Sequence, residues 1–534
     1  MTTDTDALTV PVLICGGGPV GLTLAIELGR RGVHCVLVEP RLHPTRLRPR
    51  AKTLSTRTLE HFRRWGEAGR LRAAAPLPTS WSQDIAFRTS LVGPELTRFT
   101  GVLGLADTGV SPELGQQVAQ YVTEEVLREI AAELPCVDLR IGSRVRAVRP
   151  EQDCVSVLIA DADGEEQEVI ADYVVGADGA RSVVRESIGA AYVGTQALRP
   201  NTGVVFESAE LAERVPHPPA VQTWVVNDNT PGMLGPMDLD GQWWLIAFGV
   251  DGTAPDLDAH ALIDGAVGDH VPATVISTDP WVARMELADR VRDGRVFLLG
   301  DAAHLNPPFG GHGLNTGLGD AVDLGWKLAG TLAGWGGPGL LDSYAVERVP
   351  LHRRVIDEAA SNMSTLSTEL LGDDLAGDGA AATEARARLA ERIQETKRQE
   401  FFSDDLVLGH RYESSPVLPV GADSGESDWS TTALRGRRLP HVWLSPGASS
   451  LDLVRLEHVL LAAEGAEVTG LCEEAAAYGM PLEVHRLPAD VMAGLGADWI
   501  VVRPDHIVGA TGHQGDSMTG VVATLAGHHA KETR

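Results

Sequence analysis

The stretch Val10-Pro11-Val12-Leu13-Ile14-Cys15-Gly16-Gly17-Gly18-Pro19-Val20-Gly21 decides the fold. Val10–Cys15 is apolar and β-branched, as a strand buried on both faces requires. Gly21–Arg31 then spaces Leu22, Leu24, Ala25 and Leu28 as a helix does, and His34–Val38 is a second apolar strand closed by Glu39. Together they form a βαβ unit of about thirty residues. Gly16, Gly18 and Gly21 fit G-x-G-x-x-G between strand and helix. The first permits the tight turn, the second lets a pyrophosphate approach the backbone, and the third lets helix and strand pack closely. The free N–H groups and positive end of the helix face the phosphates. Glu39 stands where a carboxylate accepts hydrogen bonds from ribose hydroxyls.

The same formula recurs at Gly334-Trp335-Gly336-Gly337-Pro338-Gly339, but there it follows a helix and no strand precedes it, so it reads as a helix terminator. Ala7–Ile26 carries no charge and is long enough to cross a bilayer. Glycines and a proline interrupt its middle, however, and Asp4 and Asp6 precede it where a secretion signal would be basic. Strand, turn and helix is the better reading.

A chain of 534 residues, 43% hydrophobic and 22% charged, exceeds one hydrophobic core and implies two or three domains. The net charge of −28 disfavours nucleic-acid and anionic membrane partners, both of which need clustered Lys and Arg. Five scattered cysteines without a CxxC pair argue against a disulfide framework and for a reducing, cytoplasmic compartment. None of the seventeen histidines has zinc-like spacing, so no metal is expected.

Beyond the first unit, Gln116–Leu134 has a helical pattern, and Val155–Ile159 with Glu168–Val174 reads as a hairpin around Asp163-Gly164. From about Thr195 to Asp289, strand-like runs alternate with Pro-Gly and Asp-Gly turns, which predicts an antiparallel sheet that Trp81–Leu105 joins. Gly372–Ala382 has the composition of a surface linker, and a last unit of strands and a helix begins at Arg437. The expected class is α/β (α+β overall). A Rossmann-like dinucleotide domain takes 1–80, 106–194 and 290–400, a substrate sheet 81–105 and 195–289, and a C-terminal domain 425–534.

A second segment narrows the cofactor. Arg295-Val-Phe-Leu-Leu-Gly-Asp301-Ala-Ala-His304 is a buried strand ending in a carboxylate suited to a ribityl chain. Pro307-Pro308-Phe309-Gly310-Gly311-His312-Gly313-Leu314-Asn315 follows it. That loop delivers backbone N–H groups and a positive helix end able to stabilise charge on a reduced flavin. With the glycine turn and Val174-Val175-Gly176-Ala177-Asp178-Gly179-Ala180-Arg181-Ser182, these motifs make the chain resemble the group A flavoprotein aromatic hydroxylases, typified by p-hydroxybenzoate and phenol hydroxylases. The similarity extends to Arg48-Pro49-Arg50-Ala51 and Leu341–Arg348 and covers nearly the whole chain. Gly311–Gly317 and Trp335–Pro338 look closest to chlorophenol hydroxylases and to tailoring oxygenases of bacterial natural products.

The resemblance implies FAD, with Gly16, Gly18 and Gly21 at the pyrophosphate, Glu39 at the adenosine ribose and Asp301 at the ribityl chain. It places Arg50 near the phosphates and the passing nicotinamide, and Gln120 on the ribityl side. Leu314 and Asn315 would offer backbone to the pyrimidine edge. Asp178 belongs to a motif serving FAD packing and NAD(P)H use. Pro19, Val20, Arg41, Val145, Pro308, Gly311 and Gly313 complete the expected cofactor lining. The tail from Arg437, with Val502-Arg503-Pro504-Asp505, resembles the thioredoxin-like domain of larger members; with Cys472 as its single cysteine it is expected to be structural or oligomeric.

The implied reaction is aromatic hydroxylation with NADPH or NADH and O₂, through a flavin C4a-hydroperoxide, on a small phenolic or polyketide-like substrate. The family also admits a homodimer. Wall candidates are Trp224, Met233, Phe309 and one of the neighbours Trp243 and Trp244, with Trp243 taken as the facing one, because adjacent strand residues point to opposite faces. The general base stays unnamed, and His312 is the one catalytic candidate. Two alternatives stand beside hydroxylation: Baeyer–Villiger or other FAD-dependent oxidation of a natural-product intermediate, and a flavin-fold protein that sequesters an intermediate. The halogenase signature Trp-x-Trp-x-Ile-Pro is not matched by Trp243-Trp244-Leu245-Ile246-Ala247.

Overall fold

The computed structural model describes residues 8–48, 51–195, 199–364, 375, 377–419 and 428–528. Strand β1 (Leu8–Cys15), helix α1 (Pro19–Arg30) and strand β2 (Cys35–Glu39) form the opening unit. β1 pairs in parallel with β2 on one side and with Glu166–Gly176 on the other. Val137–Ile141 extends the sheet beyond β2, and Val296–Leu298 extends it beyond Glu166–Gly176. The chain thus builds outward from β1 through β2 and then returns to lay Glu166–Gly176 on the other side of β1. The glycine turn lies at this switch point, where open α/β sheets leave a crevice for ligands. β2 is buried along its whole length, its apolar run Cys35–Val38 as a central parallel strand requires and Glu39 at its end through hydrogen bonds.

A second, seven-stranded sheet holds Asp84–Arg88 and Glu95–Thr100 together with the strands from Pro200 to Val282. It is not purely antiparallel: Gln222–Val225 and Asp84–Arg88 pair in parallel. The pair joins strands from two distant segments, so no short hairpin dictates its direction. One face carries helix Ala259–Val267 and a core with Phe206, Leu234 and Ile263; the other packs toward the dinucleotide unit. Helix Ala380–Phe401 crosses to this sheet, with Gln394 Nε2 donating to Thr97 Oγ1 at 2.8 Å, so sequence position 290–400 does not confine it to the first unit.

The C-terminal sheet has the order Leu482–Leu487, His458–Ala463, Trp499–Val502, Val508–Gly512, and its first pair is parallel and the rest antiparallel. It docks through buried charge. On helix His312–Leu332, Lys327 Nζ donates to Asp323 Oδ2 at 2.8 Å and to Glu347 Oε2, from helix Pro338–Ser364, at 2.6 Å. Arg503 reaches in from the C-terminal unit to Glu347 at 2.7 Å, Asp323 at 3.0 Å and its own neighbour Asp505 at 2.6 Å. Three carboxylates thus share Lys327 and Arg503. Burial, with Glu347 and Asp505 beside it, pushes the Asp323 carboxyl up, while Lys327 and Arg503 pull it down. The second glycine formula lies at the same seam: Gly337 N–H donates to Ala526 O at 2.7 Å and Gly339 N–H to Gly527 O at 3.0 Å. Among the described residues no helix is long and apolar enough to cross a membrane.

Removing one side of a buried ion cluster leaves charge uncompensated. Arg503→Met is expected to cost about 3–5 kcal/mol of stability, read from urea denaturation, with the C-terminal unit becoming the first site of limited proteolysis.

Candidate active site

The glycine turn owes its shape to backbone crowding. Gly16 has φ +106°, and a Cβ there would stand 2.4 Å from Ala177 O. Gly18 differs: its φ is −74°, nothing lies within 4 Å of its Cβ position, and α1 starts from it without a side-chain cap. The first-turn amides of α1 therefore meet open space of the kind a pyrophosphate fills.

Glu39 closes one side. Its Oε2 accepts from Gly17 N–H at 2.8 Å, and its Oε1 from Arg41 Nε at 2.7 Å and Arg41 N–H at 2.9 Å. Burial works against this carboxylate, yet the Arg41 contacts and the Gly17 amide hold it below the usual range. Arg41 also reaches Glu124 at 3.7 Å, and Gln120 Nε2 donates to Glu124 Oε1 at 2.7 Å, so Gln120 joins the same rim. Val145, in strand Arg144–Pro150, packs half-buried against the main core. Arg50 lies outside the described residues.

Asp301 occupies a short turn, Gly300–Ala302, pressed against the glycine turn: Val20 Cγ2 is 3.0 Å from the Cβ position of Gly300. The Tyr192 hydroxyl donates to Asp301 O. A buried carboxylate that the sequence reading missed holds this turn. Asp320, on helix His312–Leu332, accepts from Gly300 N–H at 3.1 Å and His304 Nε2 at 3.0 Å. It also accepts from Arg348 Nε at 2.7 Å and His352 Nε2 at 2.8 Å. Burial opposes its charge, but His352 and Arg348 hold it well below the usual carboxylate range. Its signal in the sequence was an acid on the apolar stripe of a helix. His304, Asp320 and His352 bring ligand atoms within 4.8 Å of one another, as a metal site does. The Arg348 guanidinium on the same carboxylate makes the arrangement a hydrogen-bonded clamp instead.

Asp178 Oδ2 accepts from Val183 and Val184 N–H at 2.8 and 3.3 Å, capping helix Val183–Ser187, while its buried Oδ1 has no hydrogen-bond partner. Pro308 and Phe309 lead into Gly310 and Gly311, both at positive φ, and the His312 helix starts there with no side-chain cap. Gly313 and Leu314 fall in that uncapped first turn. The Asn315 side chain is fully engaged: Oδ1 accepts from Ser55 N–H at 2.8 Å and Thr58 Oγ1 at 2.7 Å, and Nδ2 donates to Thr53 O at 3.0 Å and Gly311 O at 2.7 Å. It staples residues 53–58 to the helix start.

Opposite stands an aromatic wall. Trp224 stacks on Phe87 at 5.4 Å and meets Phe248 at 5.7 Å and Phe309 at 6.1 Å. Met233 is buried in the same core. Trp243 is a correction: it packs with Phe206 and Leu245 on the helix-covered face, and Trp244, Ile246 and Phe248 take the inward one. The strand alternates as expected, and its register decided which neighbour faces in. His312 is also placed elsewhere. It lines a cavity of about 100 Å³ where His61, Arg348 and His410 meet Val322, Leu351 and Val355, and burial lowers its pKa to about 4.

Residues 9–359 match the FAD binding domain family. The chain is 32% identical to tetracenomycin B2 monooxygenase-dioxygenase of Streptomyces olivaceus, over 94% of this chain and 95% of that one. It is 29% identical to 2,4-dichlorophenol 6-monooxygenase of Delftia acidovorans, over 95% and 96%. Among solved structures it is similar to the flavin-dependent monooxygenase PieE in complex with FAD and substrate (TM-score 0.89, 30% identity, 98% of this chain and 100% of that one). It is likewise similar to the rebeccamycin biosynthetic enzyme RebC with reduced flavin (TM-score 0.89, 33% identity, 98% and 100%).

Because the Gly18 backbone already suits alanine, Gly18→Ala is expected to change stability by less than about 1 kcal/mol. FAD affinity should fall at least about tenfold, as the methyl group enters the phosphate space; flavin fluorescence titration beside a melting curve checks both. Asp320→Asn is expected to lose about 3–5 kcal/mol and to release FAD more readily, read by urea denaturation and flavin retention on desalting.

Proposed function

Since the chain belongs to the FAD binding domain family and is an FAD-dependent aromatic hydroxylase, we propose that its substrate is a polycyclic, polyketide-like phenol lying against the Trp224–Phe248–Phe309 wall. FAD, reduced by NAD(P)H, supplies the activated oxygen. The chain's own part is to hold the cofactor and the ring in register and to keep water out. In this reading Gly16, Gly18, Pro19, Val20 and Gly21 cradle the pyrophosphate; Glu39 and Arg41 hold the adenosine ribose, with Gln120 and Val145 on the rim; Asp178 supports the cradle. Asp301 holds the ribityl chain, and Pro308 with Gly311–Asn315 presents backbone to the flavin edge.

The observation that carries the reading is convergence: two uncapped helix starts and the Asp301 turn pack on one another, and the loop before the second helix carries Phe309 into an apolar aromatic wall. An apolar wall rewards area, and several fused rings cover more of it than a single phenol. The Streptomyces relative named above is, by its name, a monooxygenase-dioxygenase of tetracenomycin B2. The five cysteines are unpaired, which supports a reducing compartment, the cytoplasm.

Purified flavin-loaded protein is expected to oxidise NAD(P)H faster when a polycyclic phenol such as anthrarobin is added, and to place oxygen from ¹⁸O₂ on its ring. Label in a lactone would assign Baeyer–Villiger insertion instead. Failure of polycyclic phenols alongside rapid turnover of 2,4-dichlorophenol would reverse the substrate class.

A further inference from the structure

Lys52 belongs to none of the motifs above, yet its position is determined from three sides. Its carbonyl accepts from Val118 N–H at 2.8 Å. The next residue, Thr53, gives its carbonyl to Asn315 Nδ2 at 3.0 Å, and its Oγ1 donates to Gln117 Oε1 at 2.9 Å. Gly311, where the long helix begins, presents its Cβ position 3.6 Å from Thr53 Cβ. The backbone at residue 52 is therefore tied to the helix start that faces the flavin edge.

The side chain leaves that anchor for the other domain. Lys52 Nζ stands 3.9 Å from the centre of the Trp244 ring. Trp244 lies on the inward face of its strand with Ile246 and Phe248, and Phe248 is 5.9 Å from Phe309. A primary amine is thus held between the cofactor-facing helix start and the aromatic wall. The ring face favours the ammonium, while burial disfavours it and wins, pushing the group down to about 7. An amine so placed is partly neutral near pH 7 and so offers a lone pair to a phenol. The transfer is uphill by about 4 kcal/mol for an unperturbed phenol, which the attraction within the ammonium–phenolate pair offsets.

We propose that Lys52 is the residue that receives the ionisable hydroxyl of the substrate, the group left unnamed by the sequence. The neutral Nζ takes the phenol proton, the O–H bond breaks as the N–H bond forms, and the product is an ammonium–phenolate pair. The negative oxygen raises electron density at the ring carbons ortho and para to it, where hydroxylation occurs. Once oxygen transfer is complete, the proton returns to the product hydroxyl. This assignment rests on the aromatic-hydroxylase reading and adds a residue and a substrate group to it.

The test uses flavin-loaded wild type, Lys52→Met and Lys52→Arg with two probes, 1-naphthol and its methyl ether. Wild type is expected to bind the naphthol more tightly than the ether, seen as a change in the flavin spectrum. Lys52→Met should lose that preference by about tenfold and oxidise NAD(P)H without forming product. Lys52→Arg should recover binding but not coupling, since a guanidinium pairs with phenolate yet does not accept a proton. FAD content and melting temperature confirm that each variant folds. An independent readout is acetylation of Lys52 by sulfo-NHS-acetate, followed by mass spectrometry; saturating naphthol should slow it and the ether should not. If Lys52→Met keeps the naphthol preference, or naphthol leaves acetylation unchanged while product still forms, the Lys52 assignment is overturned and the hydroxylase reading stands. If wild type binds neither probe and forms no product from any phenol, both fall.

Discussion

Backbone packed directly on backbone is the constraint on which this molecule depends. A Cβ at Gly21 would stand 2.0 Å from Gly16 O, and one at Gly317 would stand 3.1 Å from Gly300 Cα and 2.7 Å from Val20. The glycine turn, the Asp301 turn and the long helix therefore share one small volume. That closeness brings a strand end, a helix start and a second strand's carboxylate to a single crevice at the switch point of the sheet. Separated by one side-chain layer, they would be three unrelated loops.

Such packing leaves polar groups buried, and Asp320 shows how the chain satisfies them. Four donors from three segments converge on its two oxygens. Each donor would cost free energy if left unpaired away from water. The same logic runs the seam with the C-terminal unit, where Arg503 enters between Glu347 and Asp323. The resulting specificity is geometric: a guanidinium fork admits few orientations of its carboxylates. The C-terminal unit is thereby fixed against the helices that carry the Asp320 clamp.

The substrate side is built by different means. Strand alternation sorts Trp244, Ile246 and Phe248 toward the cofactor unit and Trp243 and Leu245 away from it. Phe309, from the loop before helix His312–Leu332, and Lys52, from beyond the sheet, reach the same wall. Helix Ala380–Phe401 closes it from behind, with Lys397 Nζ 4.5 Å from the Trp224 ring centre and donating to Glu400 at 2.9 Å. The wall is thus an interdomain construction, assembled from segments more than three hundred residues apart.

The sequence by itself determined the opening βαβ unit, the FAD family and the α/β class, because glycine spacing and apolar runs act over a few residues and their physics is local. It also held the alternation of the wall strand, though not its phase: Trp243 and Trp244 are equivalent until a register says which face is inward. Only the tertiary structure decided that phase, together with the four-donor environment of Asp320, the withdrawal of His312 into a separate cavity and the placement of Lys52. Each of these depends on what a distant segment brings alongside, and no local pattern of residues encodes a neighbour that the chain meets only after it has folded.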